Sequence, residues 1–136
     1  MEPFLKDVAL WFWGHEHRFA GYAPYALSGE NKVRTRCIGH GGMPVEIKEP
    51  KHQEVPLVFV DARKAGEIDG EAIGFCGNAL LEFNEAALVV HYYDEHGEEL
   101  LVEQWTSGGR NGGASGSMLK TSPELHWFRA PEELVR

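Results

Sequence analysis

The chain has 136 residues, with 43% hydrophobic and 25% charged side chains and a formal net charge of -8. A chain of this size and balance can bury roughly two thirds of its unfolded surface, which excludes wholesale disorder. The acidic excess argues against a protein that grips nucleic-acid backbones or an anionic membrane surface, because both need clustered cations.

The opening residues lack a basic region followed by an apolar stretch, so they do not read as a secretory signal. Glu2 to Lys6 reads as the last turn of a helix, with Pro3 early in it. Val8 to Trp13 is apolar throughout, too short to span a bilayer and patterned as a strand covered on both faces. Gly14-His15-Glu16-His17 follows at once. Residues 18 to 31 read as an irregular excursion containing Pro24 and a Ser28–Asn31 turn. Lys32 to Ile38 alternates as a strand and runs into Gly39-His40-Gly41-Gly42. Glu46 to Glu54 reads as a loop, Leu57 to Val60 as a short strand and Asp61 to Gly70 as a charged connection.

Ile73–Phe83, Ala87–Tyr93 and Glu99–Trp105 predict a meander of three antiparallel strands. Asn84-Glu85 and Asp94-Glu95-His96-Gly97 are its turns. Residues 107–122 read as a Gly/Ser-rich loop or linker, with Arg110 a linker cation. Residues 123–136 form a tail whose Leu125, Trp127 and Phe128 could dock on the body. Cys37 and Cys76 show no disulfide framework and read as buried free thiols of a soluble, cytoplasmic protein.

Chemistry concentrates in Gly14-His15-Glu16-His17. Two histidines at i and i+2 of an extended segment share one side, with α-carbons about 6–7 Å apart. Two metal ions in a hydrolytic pair sit about 3.5–4 Å apart, so the imidazoles could hold one ion each or converge on one. Glu16 should point the other way. Cys37 and Cys76 lie within strands as apolar fillers.

Trp11-Phe12-Trp13-Gly14-His15-Glu16-His17 resembles the G-H-x-H motif that closes calcineurin-like metallophosphoesterase domains. Arg36-Cys37-Ile38-Gly39-His40-Gly41-Gly42-Met43-Pro44 resembles the next strand and glycine loop of that family, and Gly74 to Trp105 its last strands. The resemblance covers residues 1 to 106, taken as a partial domain. It implies an α+β, mainly β fold: the C-terminal half of a four-layer αββα sandwich. It further implies that His15 and His17 are metal ligands, one for each of two divalent ions (Mn, Fe or Zn). His40 ends a strand expected to lie near the pair and is a catalytic candidate that contacts substrate or supports the ligands. A histidine merely occupying a glycine-permitted turn is the other reading of His40.

The family's D-x-H, G-D-x-x-D and G-N-H-[D/E] motifs are missing. Asp94-Glu95-His96 matches the first literally but falls in a hairpin turn, where a solvated turn is expected. Gly77-Asn78 is followed by Ala79. The expectation is therefore a phosphoester hydrolase segment that is inactive alone. It would hold metal only if missing ligands are supplied by a second chain carrying the N-terminal half; alternatively the chain self-associates as a homodimer that covers the exposed half-domain surface. The alternative is a non-catalytic β-scaffold interaction module or partner subunit. A cupin-type barrel would need a glutamate three or four residues after the second histidine, where Phe19 to Tyr22 stand.

Overall fold

The structure, a computed structural model, describes residues 8–26, 32–42, 44–50, 54–107 and 114–136. The strands are β1 (Leu10–Trp13), β2 (Phe19–Ala26), β3 (Lys32–Ile38), β4 (Leu57–Val60), β5 (Gly66–Ile68), β6 (Glu71–Ile73), β7 (Gly77–Phe83), β8 (Ala87–Asp94), β9 (Glu99–Thr106), β10 (Ser115–Thr121) and β11 (His126–Trp127). A 3₁₀ turn, Pro131–Leu134, follows. One sheet runs β1-β3-β2-β4-β11 and another β10-β9-β8-β7, and β5 and β6 form a small hairpin.

The αββα expectation is overturned, because no α-helix forms among the described residues. A helical layer needs segments with apolar residues spaced for one face of a helix. Here the linking segments are short, or broken by Pro44, Pro50 and Pro56. The two sheets instead cover each other. The main core joins Phe19, Val58 and Phe59 of one sheet to Val90, Tyr92, Leu101 and Trp105 of the other. Full burial of each such side chain contributes about 1.5–3 kcal/mol. A smaller cluster of Ala20, Tyr22, Cys37, Leu57 and Val60 lies on the other side of the five-stranded sheet, with Trp13 packed against it.

The predicted meander forms, but its first strand starts at Gly77: Ile73 belongs to β6, and Gly74 to Cys76, expected within that strand, lie between the two. β7, β8 and β9 pair antiparallel, and the apolar Leu88, Val90 and Tyr92 alternate with Val89, His91 and Tyr93. Asn84 and Asp94 make its turns by accepting nearby backbone N–H groups: Ala86 and Ala87 at the first, His96 and Glu98 at the second. Within the charged connection, Asp69 (φ 51°) and Gly70 (φ 82°) link β5 to β6. That pair of positive angles suits an Asp-Gly hairpin turn.

Three further expectations change. The supposed excursion after His17 is β2, and its register on β3 shifts between Tyr22 and Tyr25, around Pro24. A bulge is where a strand tolerates proline. β1 is not covered on both faces by the described residues, since Trp11 is 42% exposed. Ser115–Thr121, expected within a linker, is β10, while 108–113 lie outside the described residues, as does the expected Glu2–Lys6 helical turn. In the tail, His126 and Trp127 pair with β4, and Leu125 and Leu134 join the core.

A buried ion pair ties the sheets together. Arg36 of β3 and Glu103 of β9 are both 0% exposed and meet in a two-pronged contact of 2.6 and 3.1 Å. The Tyr92 hydroxyl donates to the same carboxylate, and Arg36 also donates to the Leu134 carbonyl at 3.1 Å. Burial alone would depress the guanidinium's pKa; the Glu103 charge outweighs it and holds the group above its ordinary value.

Candidate functional site

β1 and β3 run parallel, so their C-terminal ends lie side by side, and each continues into a Gly-His sequence: Gly14-His15 and Gly39-His40. β3 lies between β1 and β2 in the sheet. The chain leaving β1 must therefore cross the end of β3 to begin β2, and residues 14–18 are that crossing. A β-carbon on Gly39 would sit 1.8 Å from the Glu16 carbonyl oxygen and 2.7 Å from that of Gly14. Only a residue without a side chain lets the loop pass this close.

The crossing loop is fastened through its backbone. The Glu16 carbonyl accepts the Arg18 N–H at 2.9 Å and the Cys37 thiol at 3.3 Å. The His17 carbonyl accepts the Glu46 N–H at 2.7 Å, and the Arg18 carbonyl accepts the Gly39 N–H at 3.1 Å. The Glu16–Arg18 bond closes a three-residue turn centred on His17, with no positive φ at that residue. The loop is thus bent where extended backbone was expected, and the i, i+2 same-side geometry does not carry over to it.

His15 is exposed and His17 half-buried. Among the described residues neither imidazole has a hydrogen bond or ion pair. Glu16 turns back on the protein, with its carboxylate 3.2 Å from Arg18 Nε and 3.5 Å from the Tyr22 hydroxyl. Burial, and then the Glu16 charge, push the Tyr22 phenol well above its ordinary pKa. Burial likewise raises the Cys37 thiol.

Arg18 directly follows the histidine pair, and no sequence motif marks it. Its guanidinium is buried and binds the Glu46 carboxylate and the Lys48 carbonyl. It anchors the 44–50 segment against the loop and lines a groove of about 430 Å³ with Val45, Ile47, Ala72 and Ile73.

His40 lies at the end of β3 as expected, but its ring faces inward. It is 1% exposed and stacks on Phe19 at 4.9 Å between centroids. Neither ring nitrogen has a hydrogen-bond partner among the described residues. Burial lowers its pKa, opposed in part by the nearby Ile38 carbonyl and the Asp61 charge. An enclosed ring packed on an aromatic core residue is placed to shape the strand end rather than to touch a substrate.

The Asp94-Glu95-His96 turn differs from its expectation in one respect. Asp94 is buried rather than solvated, and its second carboxylate oxygen meets Arg63 at 3.0 Å. Arg63 also pairs with Asp61 and Glu124 and lies over the Phe75 ring. Among the described residues both cysteines are free, and no group of three or more His, Cys, Asp or Glu side chains could hold a metal ion. No helix there is long and apolar enough to cross a membrane.

No protein-family model, curated protein or solved structure matches this chain.

Proposed function

We propose that the Gly14–His17 loop supplies two imidazole ligands to a divalent-metal centre of the metallophosphoesterase kind, acting on phosphoesters. The remaining ligands come from outside the described residues, and a second polypeptide is the proposed source. The supporting observation is one contrast within the loop. The carbonyls of Glu16, His17 and Arg18 are all bonded, yet the rings of His15 and His17 are left without partners. A rigid backbone with idle nitrogen donors suits ligation, because little ordering entropy remains to be lost when an ion arrives.

Imidazole nitrogen suits Mn, Fe or Zn. Two ligands nonetheless fall short of the roughly three protein donors of a catalytic zinc site. These two imidazoles alone do not complete a hydrolytic centre. The same deficit favours a second reading, a non-catalytic β-scaffold subunit. Two free thiols fit a reducing compartment, and we place the protein in the cytoplasm on that ground.

Calorimetric titration with Zn²⁺ or Mn²⁺ distinguishes the two readings. Weak binding that disappears in both His15→Ala and His17→Ala, with unchanged thermal midpoints, is the expected result. Absence of binding, or binding that survives the double variant, leaves the scaffold reading. Vigorous metal-dependent phosphodiesterase turnover by the isolated chain would contradict the ligand deficit.

A further inference from the structure

We infer that β7 is a self-association edge, pairing antiparallel with β7 of a second copy to join two four-stranded sheets into one of eight. The inference does not depend on any metal chemistry.

The sheet edges differ in how well they are guarded. β11 has two residues and β1 has four. β10 is bulged between Met118 and Lys120 and carries a lysine, two devices that discourage strand addition. β7 has none of these. Its seven residues pair with β8 without a register shift, and they contain no proline and no lysine.

The backbone shows which groups are on offer. The Asn84 N–H donates to the Ala87 carbonyl in the same register as β7 on β8. Hydrogen-bonded and non-hydrogen-bonded pairs alternate, so the odd-numbered residues of β7 turn their N–H and C=O outward. Gly77 fits this alternation, since its N–H leaves the sheet to meet the His40 carbonyl at 2.9 Å. Ala79, Leu81 and Phe83 are left with outward groups that no described residue satisfies.

The side chains select a second copy as the occupant. A two-fold axis at Leu81 lays Leu81 against itself. It also sets Ala79 opposite Phe83 of the other copy, a small residue under a ring that is 77% exposed. Leu80, 48% exposed, then faces Glu82 of the other copy, so the two Glu82 carboxylates are not directly opposed. Each Glu82 already has His91 beside it at 3.4 Å. Centring on Leu81 also keeps the second strand clear of Gly77, whose N–H is occupied. A five-residue strand pairing is small beside a standard interface of about 1,600 Å², so micromolar affinity is expected.

Sedimentation equilibrium of the full chain from about 1 to 100 µM tests this. A reversible dimer is expected. Phe83→Lys and Leu80→Lys should each raise the dissociation constant at least about tenfold. Leu119→Lys, on the β10 edge, should leave it unchanged. All three sites are exposed, so circular dichroism should stay that of the parent; if one β7 variant misfolds, the other decides. A chain that is monomeric throughout the range overturns the inference, as does a dimer indifferent to the β7 lysines or broken by the β10 one.

Discussion

Replacing Glu103 by alanine is the most informative single perturbation of this fold. It removes three contacts at once: two from Arg36, at 2.6 and 3.1 Å, and one from the Tyr92 hydroxyl. Arg36 is fully enclosed and keeps only its bonds to the Thr35 and Leu134 carbonyls. Stranding one partner of a buried pair costs about 3–5 kcal/mol. An unfolding entropy of about 2.1 cal/mol/K per residue over 136 residues makes this a fall in thermal midpoint of roughly 10–17 °C. The double variant Arg36→Met/Glu103→Leu leaves no stranded charge and should recover most of the loss. Denaturant unfolding of both singles and the double, read as a mutant cycle, measures the coupling. If Glu103→Ala costs less than about 1 kcal/mol, the pair does not tie the sheets as described. Tyr92→Phe serves if Glu103→Ala does not fold, with an expected cost of about 1.5–3 kcal/mol for one bond to a charged acceptor.

Three further outcomes are expected. His40 is held neutral by burial with a pKa below its ordinary 6.5, so the unfolded chain binds more protons as pH falls. Its contribution is therefore complete above about pH 6.5 and declines as pH drops toward the folded value; the thermal midpoint should fall from pH 7.5 to 5.5, and the slope should flatten in His40→Leu. Gly39→Ala should destabilise by about 1–3 kcal/mol or more and abolish any metal binding, because its methyl meets the Glu16 carbonyl, whereas Gly41→Ala, 3.9 Å from its nearest neighbour, should be tolerated in calorimetry. Asp94→Ala removes the acceptor for the His96 and Glu98 N–H groups and one partner of Arg63, so urea unfolding should show a loss of about 2–4 kcal/mol.

Three of the second sheet's four strands, all but β10, are legible because their signals are local. Period-two alternation and the Asn84 and Asp94 turns specify three strands without help from elsewhere in the chain. β2 was not legible: Ala20, Gly21, Ala23 and Pro24 dilute the strand pattern, and only the bulge between Tyr22 and Tyr25 reconciles Pro24 with pairing. The layer of helices rests on the resemblance alone, and no described segment carries the spacing to build one. At the site, the sequence located His15, His17 and His40 at the ends of two strands. The bend at His17 is not legible there, because it follows from the crossing of β3. The glycines flanking His40 permit its ring to face either way, and the Phe19 ring settles which.

The crossing at Gly39 bears on the order in which the chain assembles. β2 and β3 are near neighbours in sequence and can zip together early, whereas β1 must add to the far flank of a ribbon already made. Its register with Arg34 to Cys37 cannot be set until that ribbon exists. The histidine loop is therefore fastened only after the β2–β3 ribbon has formed, and β1 amides, on the sheet edge, should exchange with deuterium sooner than those of β2. In this molecule the proposed metal-binding segment is also the strap that ties β1 to the rest of its sheet.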